Sequence, residues 1–382
     1  FFSQLERDLG LEPEEKPDYR YNNSSQFVGR TEVVNAVVQA LSSTSSTYIW
    51  VEGPAGIGKT EVCKAANNQM RLMHPNWNMP FIDVSNISRA VDFYHRIAKE
   101  TKISLPEPVG EWEELLRQRL VHRYINPQGS HSPTLYFDNF EDILRIEDIQ
   151  ELKQIRKWIR RLQNSGFSLL FSSQTKPPTI LADYEIDVTP LDYGIDFTNL
   201  SLESFMELDS VTLFCSIWGH RPTSAKVRNT LKTLIGNLEG HPLAIILTAT
   251  QARESVSGLE SVLNKWEQAS QQSYNGSTKH TSLKTALQVA WNSICHDETA
   301  VLYWALQYYC IQPIPFSLYE YLRKDIPKEE FDKSMKALSR FSLLDINNES
   351  ETASMLLPLK MQLPHLVPQN HPCFEQSLIH WA

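Results

Sequence analysis

Gly53-Pro-Ala-Gly-Ile-Gly-Lys-Thr60 is the stretch that decides the fold. It fits G-x-x-x-x-G-K-[ST], a nucleotide-binding loop of Gly53, Pro54, Ala55, Gly56, Ile57 and Gly58 whose glycines let backbone N–H groups turn inward around phosphate oxygens. Lys59 places a positive charge at the outer phosphates, and the Thr60 hydroxyl suits Mg²⁺. The flanks agree with this reading. Thr47-Tyr-Ile-Trp-Val51 is a β-branched and aromatic run that predicts a buried strand. Glu61-Val-Cys-Lys-Ala-Ala66 continues as a helix whose N-terminal dipole favours an anion. A glycine-rich turn matching by chance would lack this order of strand, loop and helix.

Further along, Pro80–Val84, Thr134–Asp138 and Phe167–Phe171 read as strands, and Thr31–Leu41, Ala90–Thr101, Glu111–Tyr124 and Ile149–Leu162 as helices. Strands alternating with helices predict an α/β fold with a doubly wound parallel sheet, whose ligands bind at the carboxyl ends of the strands. After Pro190 the pattern turns helical over 202–218, 224–238, 244–253 and 258–270, with a polar break at 271–277. Two helices over 281–311, a helix from 329 and a strand-like Phe341–Ile346 suggest a winged helix. The expected division is a linker over 1–25, a P-loop nucleotide-binding domain over 26–190, a helical domain over 191–275, and a winged-helix domain with the start of a downstream region over 276–382.

The 382 residues are 41% hydrophobic and carry a net charge of −9, which fits a globular chain and argues against a general nucleic-acid binder. Residues 281–382 themselves hold more Asp and Glu than Lys and Arg, so a DNA-reading positive face is not expected there. The basic run Ile155–Leu162 reads either as a nucleic-acid patch or as the solvated face of a helix with Ile155, Trp158, Ile159 and Leu162 inward. Five scattered cysteines without a C-x-x-C pair imply reduced thiols in an intracellular, cytoplasmic protein. No apolar run has membrane-spanning length, and the first residues lack signal-peptide features. The ends of the chain suggest a fragment of a longer protein.

A P-loop NTPase needs a second Mg²⁺ anchor at the end of another strand, and Asp138 supplies it. Glu141, three residues on, is a candidate general base for the attacking water; the alternative for Glu141 and Asp142 is N-capping of the next helix. Ser173 and Gln174, ending the next strand, could sense a γ-phosphate or simply cap the strand.

Taken in order, FVGRTE (27–32), GPAGIGKT, LYFDNFED (135–142), LLFSSQT (169–175), VTLFCSIWG (211–219) and GHPLAI (240–245) resemble the STAND class of signalling NTPases, specifically the NB-ARC type of apoptosome scaffolds and plant resistance proteins. The resemblance spans about residues 26–350. It implies ATP/ADP with Mg²⁺ as cofactors. Val28 and Arg30 would lie near adenine and ribose, Glu61 follows the loop into its helix, and Pro242 would pack on the adenine from the helical domain. Glu141 and Asp138 would be catalytic, and Thr60 and Asp138 would bind the metal. Two positions depart from the family pattern. Its sensor motif ends in Arg where this chain has Gln174, and its Met-His-Asp motif has no clean counterpart in Met355–His365, where His365 is the available histidine.

The implied function is an ATP/ADP-dependent signalling switch. Exchange of ADP for ATP would open a closed state, drive self-association and activate an attached upstream effector, with a downstream sensor region and slow hydrolysis, in roles such as innate immunity. No nucleic-acid or membrane partner is expected. Two alternatives stand beside it: an initiator-like AAA+ ATPase with a DNA-binding winged helix, and a non-catalytic nucleotide-binding scaffold.

Overall fold

The computed structural model of the protein describes residues 27–42, 46–75, 77–106, 112–125, 132–175, 197–201, 207–255, 258–272, 281–296, 314–315, 327–347, 352–355 and 359. The linker expected over 1–25, the second helix expected in 281–311, His365, Cys310 and Cys373 lie outside these residues. The chain divides into two compact units: Phe1–Asn23, Arg30–Pro54 and Lys59–Leu202 form one, and Ser24–Gly29, Ala55–Gly58 and Glu203–Ala382 the other.

The first unit is built on a parallel sheet. Its strands are β1 (Tyr48–Glu52), β2 (Phe81–Asp83), β3 (Thr134–Asp138), β4 (Ser168–Ser173) and β5 (Phe197–Ser201), in the spatial order β2-β3-β4-β1-β5. This is the α/β P-loop NTPase fold that the strand–helix alternation predicts. The helices are α1 (Thr31–Leu41), α2 (Lys59–Met73), α3 (Ala90–Glu100), α4 (Trp112–Tyr124), the single turn α5 (Glu141–Leu144) and α6 (Ile149–Asn164).

Strand pleating sorts the side chains. Tyr48 and Trp50 of β1, Leu135 and Phe137 of β3, and Leu169 and Phe171 of β4 join one core with Phe93 and Ile97 of α3, Leu116 and Leu120 of α4, and Ile155, Trp158, Ile159 and Leu162 of α6. The alternate positions, Ile49, Val51, Tyr136 and Leu170, are equally buried. Burial on both faces is why these strands read as continuous apolar runs rather than alternating ones. The basic run on α6 thus has its apolar residues inward, and Lys157 and Arg161 are exposed.

One expected feature differs. The stretch after Pro190, read as the start of the helical region, first returns to the sheet: Phe197–Ser201 pairs with β1 in parallel, Tyr48 opposite Phe197 and Glu52 opposite Ser201. Its Thr-Asn-Ser content gives no apolar run, and register with β1 supplies what sequence pattern does not.

The second unit is mainly helical: α7 (Glu207–Trp218), α8 (Ala225–Asn237), α9 (Pro242–Glu254), α10 (Gly258–Gln272), α11 (Thr281–Ile294) and α12 (Lys328–Arg340). Strands β6 (Ile314–Pro315), β7 (Asp345–Asn347) and β8 (Thr352–Ser354) form an antiparallel sheet in the order β6-β8-β7. The strand-like Phe341–Ile346 is therefore largely a turn, with pairing beginning only at Asp345. Helix α9 runs through the middle of this core, and every residue from Pro242 to Ala252 except Ile246 is buried. A helix apolar all round has no solvent face to read as amphipathic.

Phe171 sits at the centre of the aromatic core, its ring centroid 4.7 Å from Phe140, 5.4 Å from Trp50 and 5.5 Å from Phe137. Phe171→Ala is expected to cost about 3–5 kcal/mol, because the ring is fully enclosed and the aromatic neighbours cannot all collapse into its space. Chemical denaturation followed by tryptophan fluorescence would show the lowered midpoint.

Candidate functional site

The loop from β1 into α2 keeps its shape through two glycines with left-handed backbone, Gly56 at φ 74° and Gly58 at φ 100°. A Cβ on Gly58 would meet nothing within 4 Å, so the backbone conformation rather than crowding calls for glycine there. A Cβ on Gly56 would lie 2.9 Å from Leu243 Cδ2 and 3.0 Å from His241 Cε1, so only glycine fits there. Residues 55–58 accordingly belong to the same compact unit as α9, where Pro242 is buried as the first helical residue and Val28 packs on the helical core.

Lys59 opens α2 and is buried. Its Nζ donates to the carbonyls of Gly53 at 2.8 Å and Pro54 at 3.1 Å. Burial lowers its pKa, and the nearby Glu141 and Asp138 push it back up. Thr60 Oγ1 donates to Asp138 at 2.9 and 3.1 Å. Asp138, at the end of β3, also accepts from the Tyr136 hydroxyl at 2.7 Å and from the Ser172 hydroxyl. Burial, and then the Asp83 carboxylate, raise the Asp138 pKa, while Ser172, Tyr136 and Thr60 pull it down.

The backbone then turns sharply. Asn139 has φ 59°, and its side-chain amide donates to Asp83 Oδ1 at 3.0 Å. That turn delivers Glu141, which is 1% exposed. Gln174 engages both of its oxygens, Nε2 donating to Oε1 at 2.7 Å and the backbone N–H to Oε2 at 3.2 Å.

These contacts correct the capping alternative for Glu141 and Asp142. Neither Glu141 nor Asp142 caps a helix: the cap position of α5 is Phe140, without a side-chain bond, and Asp142 instead accepts from the Asn86 N–H at 3.0 Å. Asp148 is the acid that caps a helix here, accepting from Gln150 and Glu151 at the head of α6. Ser173 folds into a local turn with Thr175, its hydroxyl accepting from the Thr175 N–H at 3.2 Å. One position earlier on β4, Ser172 faces Asp138. Glu61 pairs with Lys64 at 3.1 Å. Arg30 has a left-handed backbone, φ 63°, at the cap position of α1, a conformation that costs a non-glycine residue about 1 kcal/mol or more and clusters at ligand sites.

Tyr136, Ser172, Asn139, Asp83 and His241 are the contributors that motif reading misses. Period-two alternation from Asp138 points to Tyr136, whereas Ser172 emerges only from strand register. Glu52, the last residue of β1, is also buried, and its Oε2 has no hydrogen-bond partner among the described residues.

The donor set fits a small hard cation. Thr60 Oγ1 and the Asp138 carboxylate are adjacent oxygens, and Mg²⁺ takes one or two such side chains with waters and phosphate oxygens. Among the described residues no group of three or more His, Cys, Asp or Glu side chains could hold a metal by itself.

Residues 28–181 match the family model described as AAA domain, which is less than half of the chain. They form a P-loop NTPase domain of the AAA type, a nucleotide-binding class; the match does not extend to the NB-ARC type. No curated protein matches the chain. Among solved structures, the chain is similar to the Walker-type ATPase PABY2304 of Pyrococcus abyssi, at 13% identity over 92% of this chain and 99% of that one, with a TM-score of 0.44. It is also similar to the Aeropyrum pernix ORC2 protein in ADPNP–ADP complexes, at 13% identity over 96% and 99%, TM-score 0.48. For the Aeropyrum pernix ORC1 protein in complex with DNA the values are 11% identity over 91% and 94%, TM-score 0.45. No described helix is long and apolar enough to cross a membrane.

Ser172→Ala removes one donor from the buried Asp138 carboxylate and is expected to cost about 1–3 kcal/mol at neutral pH. The sign with pH follows from the raised folded pKa of Asp138: the native state holds this proton more tightly, so stability falls as pH rises from the unfolded carboxylate value through the folded one. Losing Ser172 deepens that fall. Denaturation midpoints of both proteins across pH 4 to 8 would show it, and parallel curves would mean that Ser172 does not support the charged form.

Proposed function

We propose that the protein binds ATP and ADP with Mg²⁺ and hydrolyses ATP slowly as a molecular switch. The observation that carries this reading is the pairing of Glu141 with Gln174 beside the Thr60–Asp138 contact. A buried carboxylate three residues beyond the acid proposed for Mg²⁺ would serve as the base that takes a proton from an attacking water. Gln174 now occupies both of its oxygens, and a base held this way turns over slowly.

Lys59 would exchange the carbonyls of Gly53 and Pro54 for phosphate oxygens, and backbone N–H groups of the loop would bind the same anion. Thr60 and Asp138 would hold Mg²⁺. When bound, the ion neutralises charge on the phosphate oxygens. Val28, Arg30 and Pro242 remain the residues proposed for the base and ribose. Nucleotide exchange can bias two states only through its different affinity for each.

The output has two readings. A self-associating signalling switch is supported by the ordered motif set that ends in GHPLAI. An initiator-like AAA+ ATPase is the other reading, and the AAA-domain match supports its ATPase part; binding to DNA is what this reading adds, so a nucleic-acid partner stays open to test. Fluorescence anisotropy with a duplex probe, with and without ATP, separates them. ATP-dependent binding that weakens steeply between 50 and 200 mM salt selects the DNA reading, because released counterions dominate such affinity. ATP-dependent oligomerisation in light scattering without DNA binding selects the signalling one.

Glu141→Gln tests the catalytic core. It is expected to lower ATP turnover by about 10²- to 10⁴-fold while nucleotide stays bound, as for loss of a general base. Phosphate release and the nucleotide content of purified protein would be measured together. Unchanged turnover, or none in the parent protein, would favour the non-catalytic scaffold.

A further inference from the structure

His241 is the cap residue of α9, with extended backbone at φ −79° and ψ 111°, and it is 6% exposed. Its two ring nitrogens face different partners. Nδ1 lies 3.4 Å from the Ala244 N–H, and Nε2 lies 3.0 Å from the carbonyl oxygen of Ala55 in the phosphate loop. The chemistry of the partners fixes the tautomer. A carbonyl only accepts, so Nε2 carries the hydrogen, and an N–H only donates, so Nδ1 presents its lone pair. One form of the ring, neutral with hydrogen on Nε2, makes both bonds.

Capping alone does not call for histidine. Ser224 caps α8 through the Val227 N–H, and Asp148 caps α6. An imidazole adds what these short side chains lack, a second group on the far side of the ring that reaches the loop. The close packing at Gly56, where Leu243 Cδ2 and His241 Cε1 leave no room for a Cβ, holds the loop against the same ring.

Building on the nucleotide-binding reading, we infer that His241 is a positioning residue for the phosphate loop. By donating to the Ala55 carbonyl it ties off one of the loop's acceptors, so that this oxygen stays turned away from an incoming anion and the N–H groups stay turned toward it. A carbonyl left without a donor in a buried loop would be free to rotate inward and repel phosphate. The consequence is selective for ligands that carry the β- and γ-phosphates gripped by such a loop, and slight for adenosine.

Two substitutions divide the ring's roles. His241→Asn keeps an acceptor near the Nδ1 position for Ala244 but is too short to reach Ala55. His241→Gln places an amide N–H near the Nε2 position and gives up the cap. His241→Asn is expected to weaken ADP and ATP binding about tenfold, as for loss of one buried hydrogen bond, with adenosine affinity near that of the parent protein and a lowered thermal midpoint. His241→Gln is expected to retain most of the ADP affinity while its thermal midpoint falls. Fluorescent ADP titration, competition by ATP and adenosine, and thermal melts on the full chain read all of these. ADP affinity unchanged in His241→Asn, or adenosine and ADP weakened alike, would overturn the assignment to the loop. A parent protein that binds no ADP would sink the nucleotide-binding reading itself, and this inference with it.

Discussion

The burial of the Asp138 carboxylate is the constraint around which the first unit is organised. Putting a carboxylate inside a protein costs several kcal/mol unless its lone pairs are satisfied. Here three hydroxyls meet it from three elements: Thr60 from α2, Tyr136 from its own strand and Ser172 from β4. None of the three brings a charge. The arrangement therefore lowers the penalty without cancelling the charge, and leaves the carboxylate able to accept a cation. It also pins α2 and β4 to β3 at the end of the sheet where the phosphate loop begins. The cost of the buried charge is tolerable because the same unit encloses a large aromatic core with Phe171 at its centre.

Lys59, Glu141 and Asp138 form a second tier of this arrangement. The two carboxylates stabilise the ammonium that burial disfavours, although its hydrogen bonds go to the loop carbonyls. Glu141 in turn is held by Gln174. Arginine in place of Gln174 would form an ion pair with Glu141, whereas the neutral amide supplies hydrogen bonds alone. The hold on Glu141 therefore rests on two neutral hydrogen bonds rather than on a charge.

Much of this was legible in the sequence, and the limits follow from the physics. The strands around Trp50, Phe137 and Phe171 could be read because both faces of a parallel sheet are buried, which writes a continuous apolar run. The phosphate loop could be read because anion binding demands glycines and Lys59 at set spacings. Strand β5 could not, since Phe197–Ser201 is short and polar and its place depends on pairing with β1. Ser172 and Ser173 show the same limit at a single residue. The sequence marks two serines at a strand end, and only register with β3 decides that Ser172 meets Asp138 while Ser173 closes a turn. N-capping was the alternative for Glu141 and Asp142, but both fall inside the first turn of α5, one and two residues past its cap position at Phe140.

The phosphate-loop motif divides the labour between its fixed and free positions. Gly58, Lys59 and Thr60 are set by the anion and its metal, and any protein binding phosphate this way needs them. Gly56 occupies a free position in the pattern, yet here it is as constrained as the others, by a left-handed backbone and by Leu243 and His241 packed against it. That constraint comes from α9, a helix buried on nearly every side whose sequence shows no amphipathic stripe. The motif therefore says what the loop binds, and its free positions carry the contacts specific to this chain. Ala55 meets the head of α9 directly, through the His241 ring.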